Sequence, residues 1–162
     1  RKGNLMARLR AVVLFDQSAK LGALPLGTGN KSERLLGYFT WHADDSPPIN
    51  PLGDLFKTQV WALARHLGVP DVIVDKPATA DLVRGVTDED EIGVAYHDAD
   101  PILHALVGGF SVDDLRGAGF DAGHVELVWR RLHSTHWKRE LPTVAVLSSS
   151  AIGAFYLRPV DY

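Results

Sequence analysis

The feature that most restricts how this chain can fold is a turn of small residues, Gly27-Thr28-Gly29, set between two apolar stretches. Before it stands "ALPLG", residues 23–27, short, apolar and closed by glycine, which reads as a strand near a sheet edge because of Pro25. After it come Asn30, Lys31, Ser32 and Glu33 and then an apolar run, which read as a helix over about residues 31–38 with Asn30 or Ser32 as its cap. A strand that turns on glycine into a helix is the unit of α/β folds, whose loops at strand ends carry the site. The helix start offers unpaired N–H groups and partial positive charge, glycine admits close approach, and Glu33 is a hard oxygen ligand of the kind Mg²⁺ takes. Two readings stay open here: a phosphate site, and a capped helix with an acid in its first turn. The short phosphate-loop signature is not present.

The remaining pattern is mostly helical. Residues 4–19 have Asn4 at a capping position and apolar residues at Leu5, Leu9, Val12 and Val13, the spacing of an amphipathic helix. A loop rich in Asp, Ser and Pro follows residue 40, with one short strand expected at Ile49. Residues 54–67 form the clearest helix, with Asp54 as cap, Leu55, Phe56, Val60, Leu63, Ala64 and Leu67 on one face, and Gly68 and Pro70 ending it. Lys57 lies early in that helix, where the macrodipole disfavours a cation and a bound anion would reverse the penalty; a lysine leaning into solvent is the plain alternative. Thr87 caps an acidic turn, and Ser111 and Asp121 open two later helices.

Composition excludes several classes. The 162 residues fit one domain, or the larger part of one, with 46% hydrophobic and 23% charged residues, ordinary for a globular fold. A net charge of −3 gives no global field for nucleic acid or an anionic membrane, so no partner of either kind is expected. No apolar run reaches the ~18 residues needed to span a bilayer. Cysteine is absent, and a cytoplasmic setting is the simplest expectation. His133 and His136 share a face without a third ligand, "HADD" lacks the spacing of a calcium loop, and Ser148–Ser150 lack a nucleophile elbow. Lys138 and Arg139 stand where they can clamp an anion, or simply end a helix with the charge its dipole favours. The outline from Ser111 to Glu140 also fits a helix-turn-helix, against which stand the acidic total charge and the spacing of Trp129 and Trp137.

"GTGNKSE", "GYFT", "INPLGDLFKTQV", "LARHLGVP", "ATADL", "TDEDEIG" and a late "KR" occur in that order, and over roughly residues 1–140 the chain resembles the ammonia-dependent NAD synthetases. The resemblance implies an α/β fold, an incomplete adenine-nucleotide α-hydrolase-like (Rossmann-like) parallel sheet with flanking helices and a helical C-terminal region. It implies ATP-dependent amidation of deamido-NAD to NAD by ammonia through an adenylated nicotinate, with ATP as co-substrate, Mg²⁺ as metal and a homodimeric assembly. Carried over by motif, Thr28, Lys57 and Thr79 would bind ATP and Glu33 would bind Mg²⁺. Arg8, Asn4 and Lys138 would contact deamido-NAD, and Asp44 would act at the reacting nicotinate. The chain departs from the family's pattern at Trp41, Pro48 and Trp137, on the substrate side, which leaves a related adenylating ligase with another acid substrate as the alternative. The family's "SGGxDS" pyrophosphate loop is not among these residues. The expectation is therefore that residues 1–162 are the carboxyl-terminal portion of a single synthetase domain, inactive by itself.

Overall fold

The computed structural model describes residues 2–82, 85–140, 145 and 147. Eight α-helices run through these residues: α1 Lys2–Leu21, α2 Lys31–Leu35, α3 Lys57–His66, α4 Asp71–Val74, α5 Asp88–Ile92, α6 Tyr96–Val107, α7 Val112–Gly117 and α8 Ala122–Ser134. A 3₁₀ turn, His136–Arg139, follows α8. Among the described residues no strand forms, so the expected parallel sheet and the strand expected over residues 23–27 do not appear; one isolated parallel bridge joins Leu26 to Ile49, with the Gly27 N–H donating to the Ile49 carbonyl at 2.7 Å.

The core lies where α6 meets α2, α3, α7 and α8. Ala99, Ile102 and Leu103 of α6 are buried against Val125 and Val128 of α8, Leu115 of α7 and Leu36 after α2. No helix was expected over α6, and it runs through Pro101, which cannot donate to the carbonyl four residues back. Burial of the apolar groups around that proline outweighs the missing bond. The outline from Ser111 to Glu140 packs as a helical hairpin on α6, so its apolar face is used inside the fold. Ser111 and Asp121 cap α7 and α8 as expected, accepting from Asp114 N and His124 N.

Three local expectations are corrected. Asp54 does not cap α3; it stands exposed and pairs with Lys31 at 2.8 Å. The helix begins at Lys57 instead, where Ser32 and Asp100 accept its first N–H groups. Lys57 is thus the first residue of α3 rather than a position one turn inside. Asn4 lies within α1, not at its start. The apolar side chains of α1 cover no core: Leu5, Leu9, Val12 and Val13 are each more than half exposed, as are Leu67 after α3 and Val72 in α4.

Candidate functional site

The site grows from the cap of α2. Asn30 has extended backbone, its side chain accepts the Glu33 N–H at 2.9 Å, and Glu33 Oε2 accepts the Asn30 N–H at 3.1 Å. This reciprocal pair fixes the Glu33 carboxylate at the mouth of the turn. Its second oxygen, Oε1, meets Lys57 Nζ at 3.1 Å, with the two side chains 19% and 17% exposed. The Lys57 ammonium also lies 5.5 Å from the centre of the Tyr96 ring, a cation–π distance. Lys31, next to the turn in sequence, is drawn away to Asp54 and to the face of Phe56. The glutamate and the lysine that flank the glycine turn therefore split: Glu33 enters the cleft and Lys31 leaves it, while Lys57 arrives from 24 positions away.

The turn itself is held by Asn50, whose amide donates to the Gly29 carbonyl at 2.8 Å. A Cβ on Gly27 would stand 3.1 Å from Asn50 Cβ, so glycine is what allows the two segments to lie so close. Asn50 is a site-building residue that the sequence reading missed, although its motif, "INPLGDL", was in view.

Two open clefts meet at this turn. The smaller, about 400 Å³, holds Glu33, Lys57, Lys76 and Asp88. The larger, about 620 Å³, runs along α1 past Asn4 and Arg10 and the backbone of residues 37–40. Thr28, Tyr38, Asp44 and Thr79 line both, so they stand at the junction. The Asp44 carboxylate accepts the Thr40 N–H at 2.8 Å. Burial raises its pKa above the ordinary carboxylate range, opposed by that hydrogen bond. Thr79 donates to the Val86 carbonyl at 3.0 Å, which pins its loop across the junction.

Asp88 is the acid the sequence reading did not single out. "TDEDE" was visible as a capped acidic turn, and Thr87 does cap it, accepting from Asp90 N. Asp88, however, turns inward and is 5% exposed. The Tyr38 hydroxyl lies 3.2 Å from Asp88 Oδ1 and 2.5 Å from Glu91 Oε2. Burial raises the Asp88 pKa, and the charge of Lys57 opposes the rise.

The residues expected on the deamido-NAD side divide into two sets. Asn4 lines the larger cleft and accepts from the Thr40 hydroxyl at 3.3 Å. Arg8 donates from Nε and Nη2 to the Trp41 carbonyl at 3.2 and 3.0 Å, and does not line either cleft. Lys138 donates to the Gly37 carbonyl at 2.6 Å and to the Phe39 carbonyl, with Phe39's ring 4.2 Å away. Both cations brace the backbone of residues 37–41, the wall of the larger cleft. Trp41 and Trp137 meet edge to face at 5.3 Å beside that wall. His133 and His136 bond through Nδ1 to the carbonyls of Trp129 and His133.

Among the described residues no three His, Asp or Glu side chains converge on a metal position. Mg²⁺ does not require such a cage, since it is usually held by one or two carboxylates, with phosphate oxygens and water filling its octahedron. Glu33, facing a cleft that also holds Lys57 and the Thr28 turn, has the chemistry for that arrangement.

Residues 1–142 match the family model described as NAD synthase. The NH(3)-dependent NAD(+) synthetase of Trichlorobacter lovleyi is 44% identical over 153 residues, covering 94% of this chain and 56% of that protein. Two solved structures share the fold. One is an NMN synthetase from Francisella tularensis, 34% identical with a TM-score of 0.75, covering 88% of this chain and 55% of that one. The other is the NH3-dependent NAD synthetase from Campylobacter jejuni in complex with nitrate, 30% identical with a TM-score of 0.71, covering 89% and 55%. The chain spans about half the length of the relatives it matches. With the family model matched over most of its length, the chain belongs to the NAD synthase family.

Proposed function

We propose that this chain contributes the nucleotide and acid sites of a ligase that makes NAD from deamido-NAD, ATP and ammonia. The observation that carries the reading is the Glu33–Lys57 pair, set in a cleft that opens past Asp44 into a second, larger one. Bound ATP would lie with its phosphates at the Gly27–Gly29 turn, beside the Thr28 and Thr79 hydroxyls and the Lys57 ammonium. Mg²⁺ held by Glu33 would supply further neutralisation of phosphate charge. The acid substrate takes the larger cleft, with Asn4 along α1 and the 37–41 wall braced by Arg8 and Lys138. The Leu26–Ile49 pairing supports the parallel, Rossmann-like sheet of the fold.

A carboxylate is a poor electrophile. Attack of its oxygen on the α-phosphorus of ATP forms an acyl–O–P bond, breaks the bond to the β-phosphate and releases pyrophosphate. The ammonia nitrogen then attacks the acyl carbon, the C–O bond to AMP breaks, and a proton must leave nitrogen. Asp44, at the junction and with a pKa raised by burial, is the group to take that proton. The uncovered apolar face of α1 supports a homodimer. A second reading, a synthetase of the corresponding mononucleotide, is favoured by the likeness to the NMN synthetase and by Trp41 and Trp137 beside the acid-side wall.

The test is ATP–pyrophosphate exchange by the protein expressed from its complete reading frame, with deamido-NAD and nicotinate mononucleotide offered separately. Exchange with deamido-NAD, abolished by Lys57→Met, is the expected result. Exchange with the mononucleotide alone selects the second reading, and none with either acid overturns both.

A further inference from the structure

We propose that Asp100, in the middle of α6 and outside both clefts, is a positioning residue that sets Lys57 opposite Glu33. The proposal rests on the reading of that pair as a phosphate and metal site. Asp100 is 4% exposed and its two oxygens serve two different helices. Oδ1 accepts the Ser32 hydroxyl of α2 at 2.5 Å. Oδ2 accepts both the backbone N–H and the hydroxyl of Thr58 in α3, at 2.9 and 2.7 Å. Ser32 Oγ in turn accepts the Lys57 N–H at 2.9 Å. The residues so held are the sequence neighbours of the pair: Ser32 precedes Glu33, and Thr58 follows Lys57.

The arrangement solves a local defect of α3. Its N-cap is Phe56, whose side chain has no acceptor, so the first N–H groups of the helix need partners from elsewhere. A carboxylate at a helix N-terminus is the favourable charge there, and an anion accepting several donors makes stronger bonds than a neutral acceptor. Asp100 and Ser32 supply the missing cap from two other helices. The same bonds fix where along α3 the chain enters, and therefore where the Lys57 side chain projects. Nothing in Asp100's own surroundings requires an acid for packing, since its neighbours Ala99, Ile102 and Leu103 are apolar core.

The experiment measures the coupling between Glu33 and Lys57 directly, by a double-mutant cycle over Glu33→Gln and Lys57→Met in the complete protein, with and without Asp100→Asn. Asparagine keeps the size of the side chain but turns an N–H₂ toward one of the two donor sets. The expected result is that the coupling falls to less than half, while unfolding stays cooperative. The KM for ATP rises about fivefold, the effect of one net hydrogen bond, and the KM for the acid stays within about twofold. If Asp100→Asn does not fold, Thr58→Val removes one of the three bonds to the carboxylate and is expected to lower the coupling in the same direction. Unchanged coupling in the folded variant overturns the proposal, whatever happens to KM. A fall in coupling with no change in the KM for ATP, in Lys57→Met as well, keeps Asp100 as the positioning group and removes the phosphate reading instead.

Discussion

The Glu33–Lys57 pair predicts an asymmetry between its two partners. At 3.1 Å and an effective dielectric near 20, the gross attraction is about 5 kcal/mol. Removing both groups from water offsets much of it, because each side chain is more than four-fifths buried. A net coupling of about 1–3 kcal/mol is expected, between the values typical of exposed and of fully buried pairs. Glu33 is also favoured by the first turn of α2, where it bonds the Asn30 N–H, whereas Lys57 sits at the N-terminus of α3, where the dipole opposes it. Glu33→Gln keeps the cap bond but strands a cation against a helix N-terminus. Lys57→Met leaves an anion that still has its N–H partner. Glu33→Gln should therefore cost more stability than Lys57→Met, by roughly 1 kcal/mol. Urea unfolding of the four members of the cycle, read as midpoint shifts at constant slope, measures both quantities. Because both side chains are more than four-fifths buried, salt screens the pair far less than an exposed one, and molar salt should reduce the coupling by less than half. A coupling under about 0.3 kcal/mol, or a larger cost for Lys57→Met, refutes the geometry on which the site rests.

Gly37 has φ +67°, and a methyl group there would overlap the Thr135 side chain. Gly37→Ala should lower stability by about 3 kcal/mol from left-handed strain and overpacking together, read as a fall in Tm by calorimetry; a loss under about 1 kcal/mol would contradict that contact. Asp88 has a raised pKa in the fold, so the folded chain keeps a proton that the unfolded chain releases. Its contribution is greatest below the ordinary aspartate pKa, is lost as pH rises through the raised value and is flat above it. The Tm of Asp88→Asn relative to the unsubstituted protein should therefore climb as pH rises above the ordinary aspartate range, and a flat difference would show that burial does not govern this acid.

The cap of α2 was legible to within Asn30 or Ser32 because capping is a local pattern, and the structure selects Asn30, three residues before its capping-box partner Glu33. Thr87 and Ser111, each the start of a capping box, were legible for the same reason, and so was Asp121 as a single cap accepting from His124 N. Asp54 misled because it also has the local form of a cap, and only the distant Ser32 and Asp100 show why the helix starts at Lys57. The meeting of Glu33 and Lys57 in one cleft was expected from family motifs; no spacing rule connects positions 24 apart across a loop. The inward turn of Asp88 was hidden because its own segment, "TDEDE", reads as a solvated acidic turn until Tyr38 and Tyr96 close over it. The apolar spacing of α1 was read correctly as one face of a helix, but spacing cannot say what covers that face.

The grip of Lys138 on the Gly37 and Phe39 carbonyls joins groups 101 and 99 positions apart, and Arg139 reaches Leu35 across 104. Translation delivers the wall first and its clasp last. A nascent chain halted before residue 138 would carry the glycine turn, Glu33 and Lys57 while the 37–41 segment had its Arg8 brace and still lacked the one from Lys138. Ribosome-stalled intermediates of increasing length should thus gain protease resistance at residues 37–41 in a single late step, when that lysine clears the exit tunnel.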